Sequence, residues 1–430
     1  MSLVTVYQSS KSIDEVIDTV ARDKSISHRS VMFSMLASGQ TKITNFLRAE
    51  DTLNSLKIIE NLGAKVDDDG EIILIESDGI KESEEILDCG NSGTGMRLFC
   101  GLLSSANGHF ILTGDEYLKR RPMKRVTQPL KTIGAKLDGR DNGNLAPLSI
   151  RGGTLKSFVY DSKIASAQVK SAMILAALSG DEESIYSEPE LSRDHTERML
   201  SAMGASIYTD DEQKIHIKPM QGLLKPLEIN VPADPSSGFF FAVAAAITPN
   251  SKIILKDLTL NKTRIEAFKV LEKMGTKITY KETQNIYEPI GDIIVEYSPL
   301  KAVEVSENIA WLIDEIPALS IAFAFADGES IIKNAEELRV KESDRIATTV
   351  NNLNLCGVQT KEFDDGFSVI GTSKLQKAHI NSYGDHRIAM SFAIAGLNCG
   401  MEIEDIDCIN TSFPNFFEIL QKFTRVEFEN

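Results

Sequence analysis

Leu62-Gly63-Ala64-Lys65 returns along the chain as Ile133-Gly134-Ala135-Lys136, Met203-Gly204-Ala205-Ser206, Met274-Gly275-Thr276-Lys277 and Leu355-Cys356-Gly357-Val358. The glycines are spaced by 71, 70, 71 and 82 residues, a regularity that points to structural repeats. Each phrase closes a helical segment. In 263–274, Ile265, Phe268, Leu271 and Met274 fall on one helical face. Thr263 with Glu266 makes a capping-box pattern, and Asp194 with Glu197 resembles one. The glycine then supplies the left-handed residue that ends the helix. Hairpin signals follow: Asp67-Asp68-Asp69-Gly70 precedes Ile72-Ile73-Leu74-Ile75, and Asp364-Asp365-Gly366 precedes Phe367-Ser368-Val369-Ile370.

Upstream of each phrase lies a second helix, apolar and rich in small residues: Ser30 to Ala37, Arg97 to Ser104, Val169 to Leu178, Phe239 to Ile247, Ile316 to Phe325 and Arg387 to Ala395. Helices this apolar are expected to be buried on most sides. A short β-rich piece follows each one, such as Ile111-Leu112-Thr113. The pattern is α/β, with six units of strand, helix, strand, helix, strand, strand. The sixth ends at Phe416 to Phe423 without the terminal glycine. Six units suggest two domains of three, with a crossover at Val231-Pro232-Ala233-Asp234-Pro235-Ser236-Ser237-Gly238. The segment before Lys24 has no helix of the repeat type, and periodicity leaves open which domain takes it.

The formal net charge of -16 argues against nucleic-acid binding, which needs a basic face. Any site for small anions must then be a local basic cluster. Cys89, Cys100, Cys356, Cys399 and Cys408 form no CxxC pair and suggest neither a metal site nor a disulfide framework. No apolar signal segment and no run long enough to span a membrane is present, so a cytoplasmic location is expected.

Polar clusters sit at the seams of the repeats: Asp23-Lys24-Ser25-Ile26-Ser27-His28-Arg29, Gly90-Asn91-Ser92-Gly93-Thr94-Gly95-Met96-Arg97, Lys119 to Arg125, Ser166-Ala167-Gln168-Val169-Lys170-Ser171, and Ser192-Arg193-Asp194-His195. The second half adds Asp314-Glu315-Ile316-Pro317, Arg339-Val340-Lys341-Glu342-Ser343-Asp344-Arg345 and Gly384-Asp385-His386-Arg387. Taken singly, each is also compatible with a capped helix start, a tight turn or a solvated face. Taken together, they put acids, bases and anion clamps at equivalent places in several repeats, and anions bind well at helix N-termini.

Lys24 to Arg29, Gly90 to Thr94, Arg339 to Arg345 and Asp385-His386-Arg387 closely resemble the signatures of the 5-enolpyruvylshikimate-3-phosphate synthase family. Ser166-Ala167-Gln168 and Ser192 to His195 resemble its class II bacterial branch. The resemblance spans nearly the whole chain. It implies the enolpyruvyl transferase fold, an inside-out α/β barrel. Each of two similar domains holds three βαβαββ units, with helices inside and sheets outside. The domains would be 1–21 with 236–430, and 22–235, with the active site in the cleft between them. It also implies transfer of the enolpyruvyl group of phosphoenolpyruvate to shikimate 3-phosphate. The expected enzyme is a monomer with small-molecule substrates only, no nucleic acid, no membrane, no cofactor and no metal.

By resemblance, shikimate 3-phosphate falls to Lys24, Ser25, Arg29, Ser166, Gln168, Arg193, Asp314 and Lys341. Phosphoenolpyruvate falls to Lys24, Asn91, Gly93, Arg121, Gln168, Arg345 and Arg387. Asp314 is the expected base and Glu342 the expected acid, with Lys24 and His386 as further catalytic residues. Thr411, ahead of Ser412-Phe413-Pro414, stands where some family members carry a lysine. Two other readings stand beside this one. One is the related transferase acting on UDP-N-acetylglucosamine, which uses a loop cysteine and an asparagine after its first lysine; in this chain Ser25 follows Lys24. The other is a non-catalytic binding protein for phosphorylated metabolites.

Overall fold

A computed structural model of the chain describes residues 2–9 and 11–429. It divides into two units, Arg22–Val231 and Met1–Ala21 with Pro232–Asn430. Each unit holds three four-stranded sheets built on one plan. In the second repeat, Leu87–Asp88 runs parallel to His109–Thr113. The latter is antiparallel to Leu145–Arg151, which is antiparallel to Lys136–Gly139. The third repeat (Val159–Asp161, Ser184–Ser187, Ile215–Ile217, Ile207–Thr209) and the fifth (Glu304–Val305, Glu329–Ile332, Gly366–Ile370, Gln359–Phe363) repeat that order.

The first strands of repeats one and four are exchanged. Asp14–Ile17 precedes the first repeat helix in the chain but pairs in parallel with Lys252–Thr259 of the fourth repeat. Glu228–Asn230 precedes the fourth repeat helix but pairs in parallel with Gln40–Thr44 of the first. Leu3–Val6 lies antiparallel between Met401–Glu404 and Val426–Glu429, in the place the last hairpin strand holds in other repeats. The leading segment thus serves two sheets of the C-terminal unit. The second crossover falls at Val231/Pro232, earlier than the expected 235/236. Residues 232–235 are fastened to the C-terminal unit because Ala233 bridges to Leu258 and Asp234 pairs with Arg264 at 2.8 Å.

The apolar helices are Lys24–Ser34, Gly93–Ser104, Ala167–Ala177, Pro235–Ile247, Ile316–Ala324 and His386–Cys399. Every residue of Pro235–Ile247 is buried, and each of its phenylalanines contributes about 1.5–3 kcal/mol by leaving water. This helix, Ile316–Ala324 and His386–Cys399 pack on one another within their unit. In the other unit, Gly93–Ser104 packs against both Lys24–Ser34 and Ala167–Ala177. There Gly101 lets the Ala167–Ala177 helix come close: a Cβ would stand 2.3 Å from the Ala172 carbonyl oxygen. Strand faces alternate as expected, with Ala146, Leu148 and Ile150 buried beneath Leu145–Arg151.

All five phrase glycines have positive φ, from 78° at Gly357 to 111° at Gly275, which is the helix-ending conformation that glycine adopts without strain. The two sequence-level capping boxes do not form. The Thr263 hydroxyl meets Asn261 Oδ1 at 3.0 Å, and the helix starts at Glu266 with no side-chain cap. Asp194 pairs with Arg198 one turn on, at 2.8 Å, rather than capping. Capping is done instead by Asp23, Ser92, Asp234, Asp344 and Asp385.

Candidate active site

The polar clusters form the first turns of the buried helices and the loops ahead of them. In the Arg22–Val231 unit, Asp23 caps Lys24–Ser34 by accepting from Ile26 N at 2.9 Å. That places Lys24 in the first turn, where its ammonium reaches Asp51 Oδ2 at 2.6 Å. One turn on, Arg29 is buried. Its Nε donates to Thr196 Oγ1 at 2.8 Å, Nη2 to Ser171 Oγ at 2.8 Å and Nη1 to Ser25 O at 3.0 Å. Arg29 thereby joins Ser25 to the segment around Arg193 and to the helix that begins beside Ser166, its N-cap.

A second group forms where Gly93–Ser104 begins. Ser92 caps this helix by accepting from Gly95 N at 3.0 Å. The Arg121 guanidinium lies over Gly93, and its Nη1 donates to Asn91 O at 3.2 Å. A Cβ on Gly93 would stand 2.8 Å from Arg121 Nη2, so a larger residue would displace the guanidinium from this contact. Of the basic run at 119–125, Arg121 is buried whereas Arg120 points outward to Glu116. Gln168 is oriented from both sides: its Oε1 accepts from Arg97 Nη1 at 2.7 Å, and its Nε2 donates to Thr94 Oγ1 at 2.9 Å.

His28, fully buried, links these groups. Its Nδ1 is 2.8 Å from Ser55 Oγ and its Nε2 is 3.2 Å from Ser92 Oγ. Burial, with Lys24 and Arg29 beside it, holds the imidazole well below its usual pKa, so it is neutral. A neutral ring supplies one donor and one acceptor. Ser92 Oγ already accepts from Gly95 N, so its hydrogen is available to His28 Nε2.

In the C-terminal unit the hub is Arg345, fully buried. Nε donates to Asp385 Oδ2 at 2.8 Å, Nη1 to Asp314 Oδ1 at 3.2 Å, and Nη2 to Glu342 Oε2 at 2.6 Å. Burial opposes its charge, but the carboxylates of Asp385, Glu342 and Asp314 more than offset this and raise its pKa. Asp385, itself buried, also caps His386–Cys399 and accepts from Ser343 Oγ at 3.0 Å. Lys341 lies 3.5 Å from Glu337. His386 is buried in the first turn of its helix. The Arg387 side chain has no hydrogen-bond or ion-pair partner among the described residues. Thr411 donates back to Cys408 O at 2.7 Å.

The structure thus joins Lys24, Ser25, Arg29, Asn91, Gly93, Arg121 and Gln168 into linked groups in one unit, and Asp314, Glu342 and Arg345 into one network in the other. Asp51, the partner of Lys24, and Asp385, which holds Arg345, lie outside the expected site residues. Burial raises the pKa of all five cysteine thiols, Cys100 and Cys356 to about 12 and Cys399 to about 11, so none is an activated nucleophile. Among the described residues no helix is long and apolar enough to cross a membrane.

Residues 7–420 match the family model described as EPSP synthase (3-phosphoshikimate 1-carboxyvinyltransferase). The 3-phosphoshikimate 1-carboxyvinyltransferase of Sulfurimonas denitrificans is 69% identical over 428 residues, covering 100% of this chain and 99% of its own. That of Nitratiruptor sp. is 60% identical, covering 99% of each. Among solved structures, EPSP synthase from Acinetobacter baumannii superposes with a TM-score of 0.87 at 37% identity, over 100% of both chains. The enolpyruvyl transferase NikO from Streptomyces tendae, at 16% identity and a TM-score of 0.78 over 100% of this chain and 98% of its own, shares the fold.

Proposed function

The chain belongs to the EPSP synthase family, and on that premise we propose how its residues divide the work. The reaction moves the enolpyruvyl group of phosphoenolpyruvate to the 5-hydroxyl of shikimate 3-phosphate and releases phosphate, within the shikimate pathway to chorismate and the aromatic amino acids. Both substrates are multiply anionic. A cation 4 Å from a phosphate oxygen gains about 4 kcal/mol at an effective dielectric of 20, so several are needed to offset desolvation.

Lys24, Ser25, Arg29, Ser166, Gln168, Arg193, Asp314 and Lys341 take shikimate 3-phosphate. Asn91, Gly93, Arg121, Gln168, Arg345 and Arg387 take phosphoenolpyruvate, with Lys24 serving both. The enzyme acts as a cytoplasmic monomer that uses its cations to hold the substrates.

Addition needs a base to take the 5-hydroxyl proton and an acid to protonate the methylene carbon of phosphoenolpyruvate. The 5-oxygen bonds to the central carbon, the methylene becomes a methyl group, and a tetrahedral adduct results. Elimination then breaks the bond to phosphate and returns a methyl proton to the protein, restoring the double bond. Asp314 is the base and Glu342 the acid, with His386 as a further catalytic group. The observation that supports giving both groups a part in one reaction is the Arg345 network, in which one buried guanidinium holds both carboxylates; which is base and which is acid follows from the family resemblance. Lys24 and Arg345 limit charge build-up as protons move.

Asp314→Asn and Glu342→Gln keep shape and remove one proton-transfer group each. Each should lower kcat by about 10²–10⁴-fold, while Glu342→Gln still binds shikimate 3-phosphate by calorimetry. Near-normal turnover in either variant would contradict these roles.

A further inference from the structure

The Ala167–Ala177 helix carries a charge that this chemistry does not use. Lys170 is fully buried. Its ammonium donates to Ser192 O at 3.0 Å and pairs with Glu188 at 3.1 Å and Glu197 at 2.8 Å. Glu188 is also buried and accepts from Ser192 N at 2.7 Å and Ser192 Oγ at 2.9 Å. Burial works against the Lys170 charge, and the two carboxylates more than offset it.

Burying one ammonium and two carboxylates adds little net stability compared with apolar residues of the same volume. What the arrangement does is fix a backbone. Each of these bonds lands on the segment from Glu188 to Glu197, which contains Arg193. Ser192, immediately before Arg193, is held through its carbonyl, its amide and its hydroxyl. After Arg193, Thr196 is held by Ser171 at 2.6 Å and by Arg29 at 2.8 Å. Ser171 follows Lys170 on the same helix, whose first turn presents Gln168 beside Ser166. The chain on both sides of Arg193 is therefore fastened to the helix that supplies two other proposed ligands of shikimate 3-phosphate.

We propose that Lys170 is a positioning residue for shikimate 3-phosphate, setting where Arg193 stands relative to Ser166 and Gln168. The proposal rests on the reading that Arg193 binds that substrate. Lys170 touches no reacting atom, so its loss should act through Arg193 and on one substrate.

The test is a double-mutant cycle in the full-length enzyme. Lys170→Met should raise KM for shikimate 3-phosphate by about ten-fold, leaving kcat and KM for phosphoenolpyruvate within about two-fold. In an Arg193→Ala background the same substitution should add less than about two-fold, because the residue it positions is already gone. An equal increment in both backgrounds, or no increment in either, overturns the proposal. If Arg193→Ala alone leaves KM for shikimate 3-phosphate unchanged, it is the assignment of Arg193 that fails. Should Lys170→Met not fold, the cycle is run with Lys170→Met/Glu197→Gln, which removes a carboxylate left without its cation; the same two outcomes support or overturn the proposal.

Discussion

Gly93→Ala adds one methyl group at the place where Arg121 crosses the start of the Gly93–Ser104 helix. The new Cβ would lie 2.8 Å from Nη2, 2.9 Å from Cζ and 3.0 Å from Nη1 of Arg121. Comfortable non-bonded contacts lie near 3.5 Å, so the guanidinium must retreat by roughly 0.5 Å or more. Its freedom to do so is small, since it is buried and its Nη1 is bonded to Asn91 O. Overpacking of this kind costs about 1–3 kcal/mol, which is roughly a ten- to hundred-fold change in binding. The loss should fall on phosphoenolpyruvate, the proposed partner of Arg121. Glyphosate, which resembles a cationic mimic of phosphoenolpyruvate in this family and is longer, should lose more. Steady-state kinetics in both proteins gives the ratio of the glyphosate inhibition constant to the KM for phosphoenolpyruvate, and that ratio should rise. The reasoning is refuted if KM for phosphoenolpyruvate does not change or if the ratio stays flat.

Gly101→Ala should lower the melting temperature: a Cβ 2.3 Å from a backbone carbonyl forces two helices apart, at about 1–3 kcal/mol, which exceeds the roughly 1 kcal/mol that alanine gains over glycine in a helix. Calorimetry showing an unchanged or higher melting temperature would contradict the packing described. His28 is neutral in the fold and binds a proton only when unfolded, near its ordinary value of 6.5. Its contribution to stability is therefore present above about pH 6.5 and lost as pH falls below it, by up to about 1.4 kcal/mol per pH unit. His28→Asn should flatten melting temperature against pH over that range, and parallel curves for the two proteins would count against a neutral His28.

The repeat was legible because a helix end needs a left-handed residue, and glycine meets that need at 63, 134, 204, 275 and 357 alike. The small-residue helices were legible for a similar reason: only small side chains allow contacts as close as Gly101 on Ala172. Their starts were read up to six residues late, because first turns such as Lys24 to Arg29 are polar and lack the apolar pattern. The exchange of Asp14–Ile17 and Glu228–Asn230 was not legible, since pairing across some 200 residues leaves no local period. In the site, the types of charge were readable from the clusters, but their bonding was not. Asp385 reads as a helix cap and is one; its grip on Arg345 depends on a residue forty positions away. Asp51 looks like an ordinary acidic first-turn residue until Lys24 is found beside it.

Enolpyruvyl transfer itself is tested most directly by phosphate release with both substrates, measured against product. Purified enzyme given shikimate 3-phosphate and phosphoenolpyruvate should release phosphate in step with formation of the enolpyruvyl ether, and should release none from either substrate alone. Phosphate from phosphoenolpyruvate without shikimate 3-phosphate, or no phosphate when both are present, would contradict the account.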